Sequence, residues 1–372
     1  MTTAVITAII VVTALIVSPI AVVVSNENAE STEEQTEITK KEEKKFIKWV
    51  DFNVPYNALE AALNADIKSH EKEVRHNWVE LLAYLATKYG GDWKRYNAAD
   101  LKKLTQQLES GKTMEELTEK LKNYPYFREA YGAVLDGFVG EYEIEVPNKD
   151  NPEIITRQKK YGLKVFSPIA RGYSFSDYDD FGSSRSYGYK RKHLGHDLMG
   201  SVGTPIIAVE SGVVECVGWN QYGGWRIGIR SFDQKRYYYY AHLRKDHPYN
   251  DMYEGKVVKA GDVIGYLGMT GYSSKENINN INTPHLHYGM QLIFDEATQK
   301  EGNNEIWIDM YAITQLLQKN KSAVYKDSEK KEYYRKYNIY GVLPNEPEEP
   351  VPTPTPEPTP DPAPETDSPA DK

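Results

Sequence analysis

Cysteine is almost absent. The single Cys216 among 372 residues excludes an intrachain disulfide and any metal site built on several thiolates. It sits in the strand-like run 213–217 (VVECV), where it is expected to act as a small buried hydrophobe rather than a nucleophile. Positive charge is also short, with a formal net charge of −9. The deficit is local: −3 falls on residues 27–45 and −7 on residues 345–372, which leaves the middle of the chain near +1. That balance offers no basic face, so no nucleic-acid partner is expected. Phenylalanine is scarce, with 9 copies against 29 tyrosines. Hydroxylated rings suit half-wet strands and grooves that take polar ligands, and serve equally as ordinary strand residues.

One long hydrophobic run is present. Residues 4–24 (AVITAIIVVTALIVSPIAVVV) carry no charge, and at ~1.5 Å per residue they match a bilayer core of about 30 Å. A cleaved signal peptide is the alternative, but the run lacks a basic start and a clear small-x-small cleavage site. Residues 1–25 are therefore expected to form a single-pass membrane anchor. No Lys or Arg precedes the run, so charge does not orient it. Residues 26–45 are polar and acidic and are expected to form a stalk.

Helical periodicity begins next. Trp78, Leu81, Leu82, Leu85 and Tyr89 recur at steps of three and four, with Gly90-Gly91 as a stop. Further amphipathic stretches begin near Asn97 and Thr113, and another covers Tyr126–Val139. A helical domain is expected over 46–145. From about residue 160 short β-rich runs alternate with glycine turns: 204–209, 212–214, 226–230, 236–242 and a strand-turn-strand unit at 255–265. An antiparallel sheet domain over 160–300 follows from these. Residues 306–320 suggest a helix within a C-terminal extension, 301–343. The Pro/Thr/Glu repeat of 344–372 cannot form a core. The expected class is α+β.

Histidine carries the chemistry. Six of the 8 histidines fall between 193 and 287. His193 and Asp197 stand in HLGHD, His242 ends YYYYAH, and His285 and His287 form HLH. Alternate residues of a strand share a face, so His285 and His287 project together. They can bind one cation jointly, or one can bind while the other moves protons. Two histidines and a carboxylate leave a fourth position for water, the open pattern of catalytic zinc.

The order of motifs resembles the lysostaphin-type, or LytM-like, zinc endopeptidases of peptidoglycan. The chain shows FGSSR (181–185), HLGHD (193–197), GTPIIAVESGVV (203–214), YAHL (240–243), GKVVKAGDVIG (255–265) and PHLH (284–287). The resemblance covers roughly residues 165–295. It implies one zinc ion per chain, held by His193, Asp197 and His287, with His242 and His285 as catalytic histidines. His196 fills a variable position and His247 is given no role. Two departures stand out: one extra residue before Arg185, and an insertion, SKENINNIN (274–282), expected to shape a subsite or cover the site.

By this resemblance the expected function is zinc-dependent cleavage of peptide stems or cross-links in bacterial peptidoglycan. A non-catalytic scaffold or a wall-binding module is the alternative. The anchor would tie the chain to the bacterial membrane with its bulk outside, facing the wall. The run LLAYLATKYGG (81–91) resembles the catalytic helix of lysozyme-like muramidases, but Lys88-Tyr89 occupies the place of the acid. A packing role, or docking of an envelope protein, is left for the helical domain.

Overall fold

The computed structural model describes residues 50–186, 190–294 and 305–344. The expected anchor, stalk and Pro-rich tail lie outside these residues. Among the described residues no helix is long and apolar enough to cross a membrane.

The helical region runs α1 (Tyr56–Ser69), α2 (Trp78–Tyr89), α3 (Ala98–Glu109), α4 (Met114–Thr118) and α5 (Tyr124–Leu135). Local chemistry sets its ends. Asn77 Oδ1 accepts from the Val79 and Glu80 amides at 3.0 and 3.1 Å, and Gly90 closes α2 at φ +66°. Thr113 and Glu116 form a capping box at the start of α4. The apolar face of α2 is buried as its spacing predicts. α1 lies within the expected helical domain, although its own stretch was not singled out. Its buried face is Ala58, Leu59, Ala62, Leu63 and Asp66, where small alanines and a carboxylate give a weak apolar signal. Asp66 accepts from the Trp78 amide at 2.8 Å and from the Tyr161 hydroxyl at 2.7 Å, which ties α1 to a neighbouring hairpin.

That hairpin is β1 (Val139–Pro147) and β2 (Ile155–Leu163). The helix expected to reach Val139 stops at Leu135, Gly137 takes φ +88°, and the alternation of 139–146 (VGEYEIEV) then pairs in full with β2.

The short strands β3 (Ser184–Arg185) and β4 (Arg191–Lys192) pair with each other, and β5 (His196–Met199) and β6 (Pro205–Ile207) follow. The main sheet adds β7 (Gly212–Asn220), β8 (Gly224–Ser231), β9 (Arg236–Ala241), β10 (Val257–Val258), β11 (Val263–Tyr266), β12 (His285–Leu292) and β13 (Ile306–Ile308). Its order is β10-β7-β8-β9-β12-β13, antiparallel throughout, with β5 also on β12. β11 leaves this sheet and pairs with β6. The expected unit at 255–265 therefore does not close on itself: its two strands serve different sheets. The helix expected from 306 begins later, as α6 (Tyr311–Leu317), because Ile306 and Ile308 alternate and pair with Leu292 and Met290. Three short strands close the described chain: β14 (Val324–Lys326), β15 (Tyr333–Arg335) and β16 (Ile339–Tyr340).

Among the described residues, the larger of two hydrophobic cores joins the helices to the sheet, and the smaller gathers Phe166, Ile207, Val263, Tyr266 and Ile339. Leu59, Leu82 and Tyr131 of the helices join Leu198, Tyr238, Tyr240, Tyr288 and Met290 of the sheet and Ile313 and Leu317 of α6. Arg236 locks the junction from inside, with 1% of its side chain exposed. It pairs with Glu210 at 2.8 and 2.9 Å and Asp233 at 2.9 Å, and donates to the Ala133 carbonyl on α5 at 3.0 Å. Cys216 departs from expectation. A bulge between Val214 and Cys216 breaks the alternation of β7, so the thiol is half-buried and meets the Arg226 guanidinium.

Candidate metal centre

Strand register builds the site. On β12, His287 stands directly opposite Asp197 of β5 on one side and Ala241 of β9 on the other. Directly opposed residues share a face, which brings Asp197 Oδ1 to 2.9 Å from His287 Nδ1. His193 precedes β5 and reaches the same point, because backbone bonds to Gly182 and Ser183 hold it against the FGSSR segment at 2.7 and 2.8 Å. Its Nε2 lies 3.0 Å from both Asp197 Oδ1 and His287 Nδ1. Gly195 makes room, since a Cβ there would stand 2.5 Å from the His287 ring.

These three ligand atoms lie within 4.8 Å of one another and could hold a metal ion. The donor set fits a zinc-type ion: two imidazole nitrogens, one carboxylate oxygen, no thiolate and room for a fourth ligand. Burial raises the Asp197 carboxyl, but hydrogen bonds with His193 and His287 outweigh it and hold the group far below the usual carboxylate range. Burial pushes His287 down against the pull of Asp197, which favours the neutral, ligating ring.

The remaining two histidines flank this cluster. His242 follows β9 in a left-handed kink at φ +62°, with its amide on the Gly223 carbonyl at 2.7 Å. Its Nδ1 is 2.9 Å from the Thr270 carbonyl. Burial and the neighbouring His285 and His287 push its pKa well below the ordinary imidazole value. The His285 ring is 4.8 Å from that of His242; its Nδ1 is 2.8 Å from the Thr283 carbonyl, and its Nε2 is 3.8 Å from Asp197 Oδ1. A backbone carbonyl can only accept, so each ring donates from Nδ1 and turns its Nε2 away from that bond.

The five residues singled out in the sequence thus come together. Four of them, His193, Asp197, His242 and His287, line a cleft of ≈ 490 Å³ whose walls include Arg191, Tyr222, Tyr239, Tyr272 and Trp307. The inserted residues 274–282 do not line it. Asn277 anchors them beside it, accepting from Trp225 Nε1 and the Asp246 amide, both at 2.9 Å. His196 is turned away, 3.0 Å from Asp177 and 3.1 Å from Thr314 of α6. His247 pairs with Glu332. Two residues behind the cluster were not singled out for the site. Asp180 approaches His193 and Arg185 approaches Asp197. Arg185 was visible in FGSSR, whereas Asp180 sits in DYDDF with no distinguishing spacing.

An antiparallel sheet thus presents, at the floor of a cleft, a His-Asp-His cluster that could hold a metal ion. The model of Peptidase family M23 matches residues 191–301, which form a domain similar to those of lysostaphin and LytM. The L-Ala–D-Glu endopeptidase of Bacillus subtilis is 40% identical over 123 residues, 33% of this chain and 36% of that protein. Lysostaphin of Staphylococcus simulans is 40% identical over 97 residues, 26% of this chain and 17% of that protein. The chain therefore spans only a minor part of the length of these relatives. A solved LytM-type structure from Ruminococcus gnavus covers 72% of this chain and 89% of its own, at 21% identity and a TM-score of 0.46.

Proposed function

We propose that this protein is a zinc endopeptidase that hydrolyses peptide bonds in the stems or cross-links of bacterial peptidoglycan. The observation that carries this reading is the convergence of His193 Nε2, Asp197 Oδ1 and His287 Nδ1 beside two histidines tied through Nδ1 to backbone carbonyls. The name of one relative, a peptidoglycan DD-endopeptidase of Vibrio cholerae that is 37% identical over 104 residues, supports the substrate class. His193, Asp197 and His287 would hold one zinc ion, which when bound polarises a carbonyl and lowers the pKa of water from 15.7 to about 7. His242, kept neutral by burial, takes the proton of the attacking water through Nε2. His285 turns its Nε2 to the same space and shares the proton traffic toward the departing amine. Anchorage through residues 1–25, with the domain facing the wall, fits a substrate outside the membrane.

The test is direct. The purified chain is assayed for zinc stoichiometry and incubated with purified peptidoglycan, and released muropeptides are identified by mass. One zinc per chain with new amino termini supports the proposal. Zinc without any new terminus would instead favour the non-catalytic scaffold.

A further inference from the structure

Behind the metal-type cluster lies a second layer of charge. Asp180 is buried, with 7% of its side chain exposed. Its Oδ1 stands 3.0 Å from His193 Nδ1, and its carbonyl oxygen 3.4 Å from the same nitrogen. The carboxylate oxygen lies close to the ring nitrogen but off the straight hydrogen-bond line. Both of these acceptors belong to one residue. A proton held on Nδ1 leaves the lone pair at Nε2, the atom that faces Asp197 and His287. The other carboxylate oxygen of Asp180 contacts Arg185 Nη2, which also lies 3.4 Å from Asp197 Oδ2. Arg185 Nη1 donates to Ser183 Oγ at 2.6 Å. Asp197 therefore offers Oδ1 to the cluster while Oδ2 stays on the guanidinium. Two buried carboxylates this close would repel, and Arg185 between them removes that cost.

We infer that Asp180 is a positioning residue that, with Arg185, sets the affinity of the cluster for its metal ion. It fixes the tautomer and direction of the His193 ring, and through Arg185 it fixes which oxygen Asp197 presents. Outer partners of this kind orient ligating imidazoles and raise their basicity. The inference rests on the zinc-peptidase reading and takes only the metal from it.

The test uses the full chain, stripped of metal and titrated with zinc against a chromophoric chelator. Asp180→Asn is expected to weaken zinc binding on the order of 10–100-fold, while the melting temperature of the metal-free protein stays at the wild-type value. Asp180→Glu, which keeps the charge, should recover part of the affinity. Arg185→Gln should weaken binding in the same direction, and it carries the test if Asp180→Asn fails to fold. Wild-type affinity in a folded Asp180→Asn variant overturns the inference alone. So does an affinity loss matched by an equal fall in the melting of the metal-free protein, because Asp180 would then only hold its loop. A wild-type chain with no zinc affinity overturns the peptidase reading as well.

Discussion

The Nδ1 atom of His242 lies 2.9 Å from the carbonyl oxygen of Thr270, and this bond decides which nitrogen faces the cleft. Burial keeps the ring neutral by pushing its pKa well below the ordinary 6.5. A bound cation would push the same way. The base-competent form is the unprotonated one, so it persists as pH falls until the lowered pKa is crossed. The acid limb of turnover in zinc-saturated protein is therefore expected below pH 6.5. A limb at or above that value would show that another group sets it.

His285 and His287 share one face of β12 but differ in what they touch. His287 Nδ1 is 2.9 Å from Asp197 Oδ1, whereas His285 Nε2 is 3.8 Å from it. His287→Ala, His193→Ala and Asp197→Ala are expected to lose zinc together with activity. His285→Ala and His242→Ala should keep near-stoichiometric zinc and lose turnover by a factor on the order of 10²–10⁴. Metal content by atomic spectroscopy beside peptidoglycan turnover decides this. Zinc lost in His285→Ala and kept in His287→Ala would invert the assignment.

The site was legible because its rules are local. A two-residue step places His285 and His287 on one face, and the motif order supplied the partners. Asp180 was not legible, since its position depends on how the 177–185 loop folds back on His193 rather than on a period. The fold was legible where the pattern was clean, as in the apolar face of α2 and the tyrosine run of β9. It was less so in three places, each decided by the strand it pairs with rather than by its own pattern. β1 hides behind an apparent helix extension until Gly137 ends it. β10 and β11 look like one hairpin but pair with β7 and β6. Ile306–Ile308 reads as the start of a helix until β12 claims it.

Asn277 should govern substrate choice without touching the metal. It adopts φ +61°, a conformation asparagine tolerates better than most residues, and its side chain pins the insertion to Trp225 and to residue 246. Tyr272, at the leading edge of the same loop, lines the cleft. Asn277→Gly keeps the backbone conformation available and removes only the side-chain bonds. KM or the pattern of muropeptides released is expected to change while zinc content stays constant. Identical products and identical KM would mean that the anchor has no part in binding.

Arg236 should matter for stability far more than for chemistry. Its guanidinium is buried among Glu210, Asp233 and the Ala133 carbonyl, and Tyr238 donates to Glu210 at 2.6 Å. Burial disfavours the charged guanidinium, but the attraction of Glu210 outweighs it and keeps the group charged. Arg236→Met fills similar space yet strands the Glu210 carboxylate without its partner. Removing one member of a buried pair typically costs about 3–5 kcal/mol, because the remaining charge stays desolvated. The loss is expected in chemical denaturation of the metal-free protein, with the helical and sheet signals falling together, since Arg236 stands on β9 and bonds to α5. A double variant, Arg236→Met with Glu210→Gln, should recover much of that loss by removing the stranded charge. If the single variant is as stable as wild type, the junction is held by apolar packing alone and this charge network contributes nothing to it.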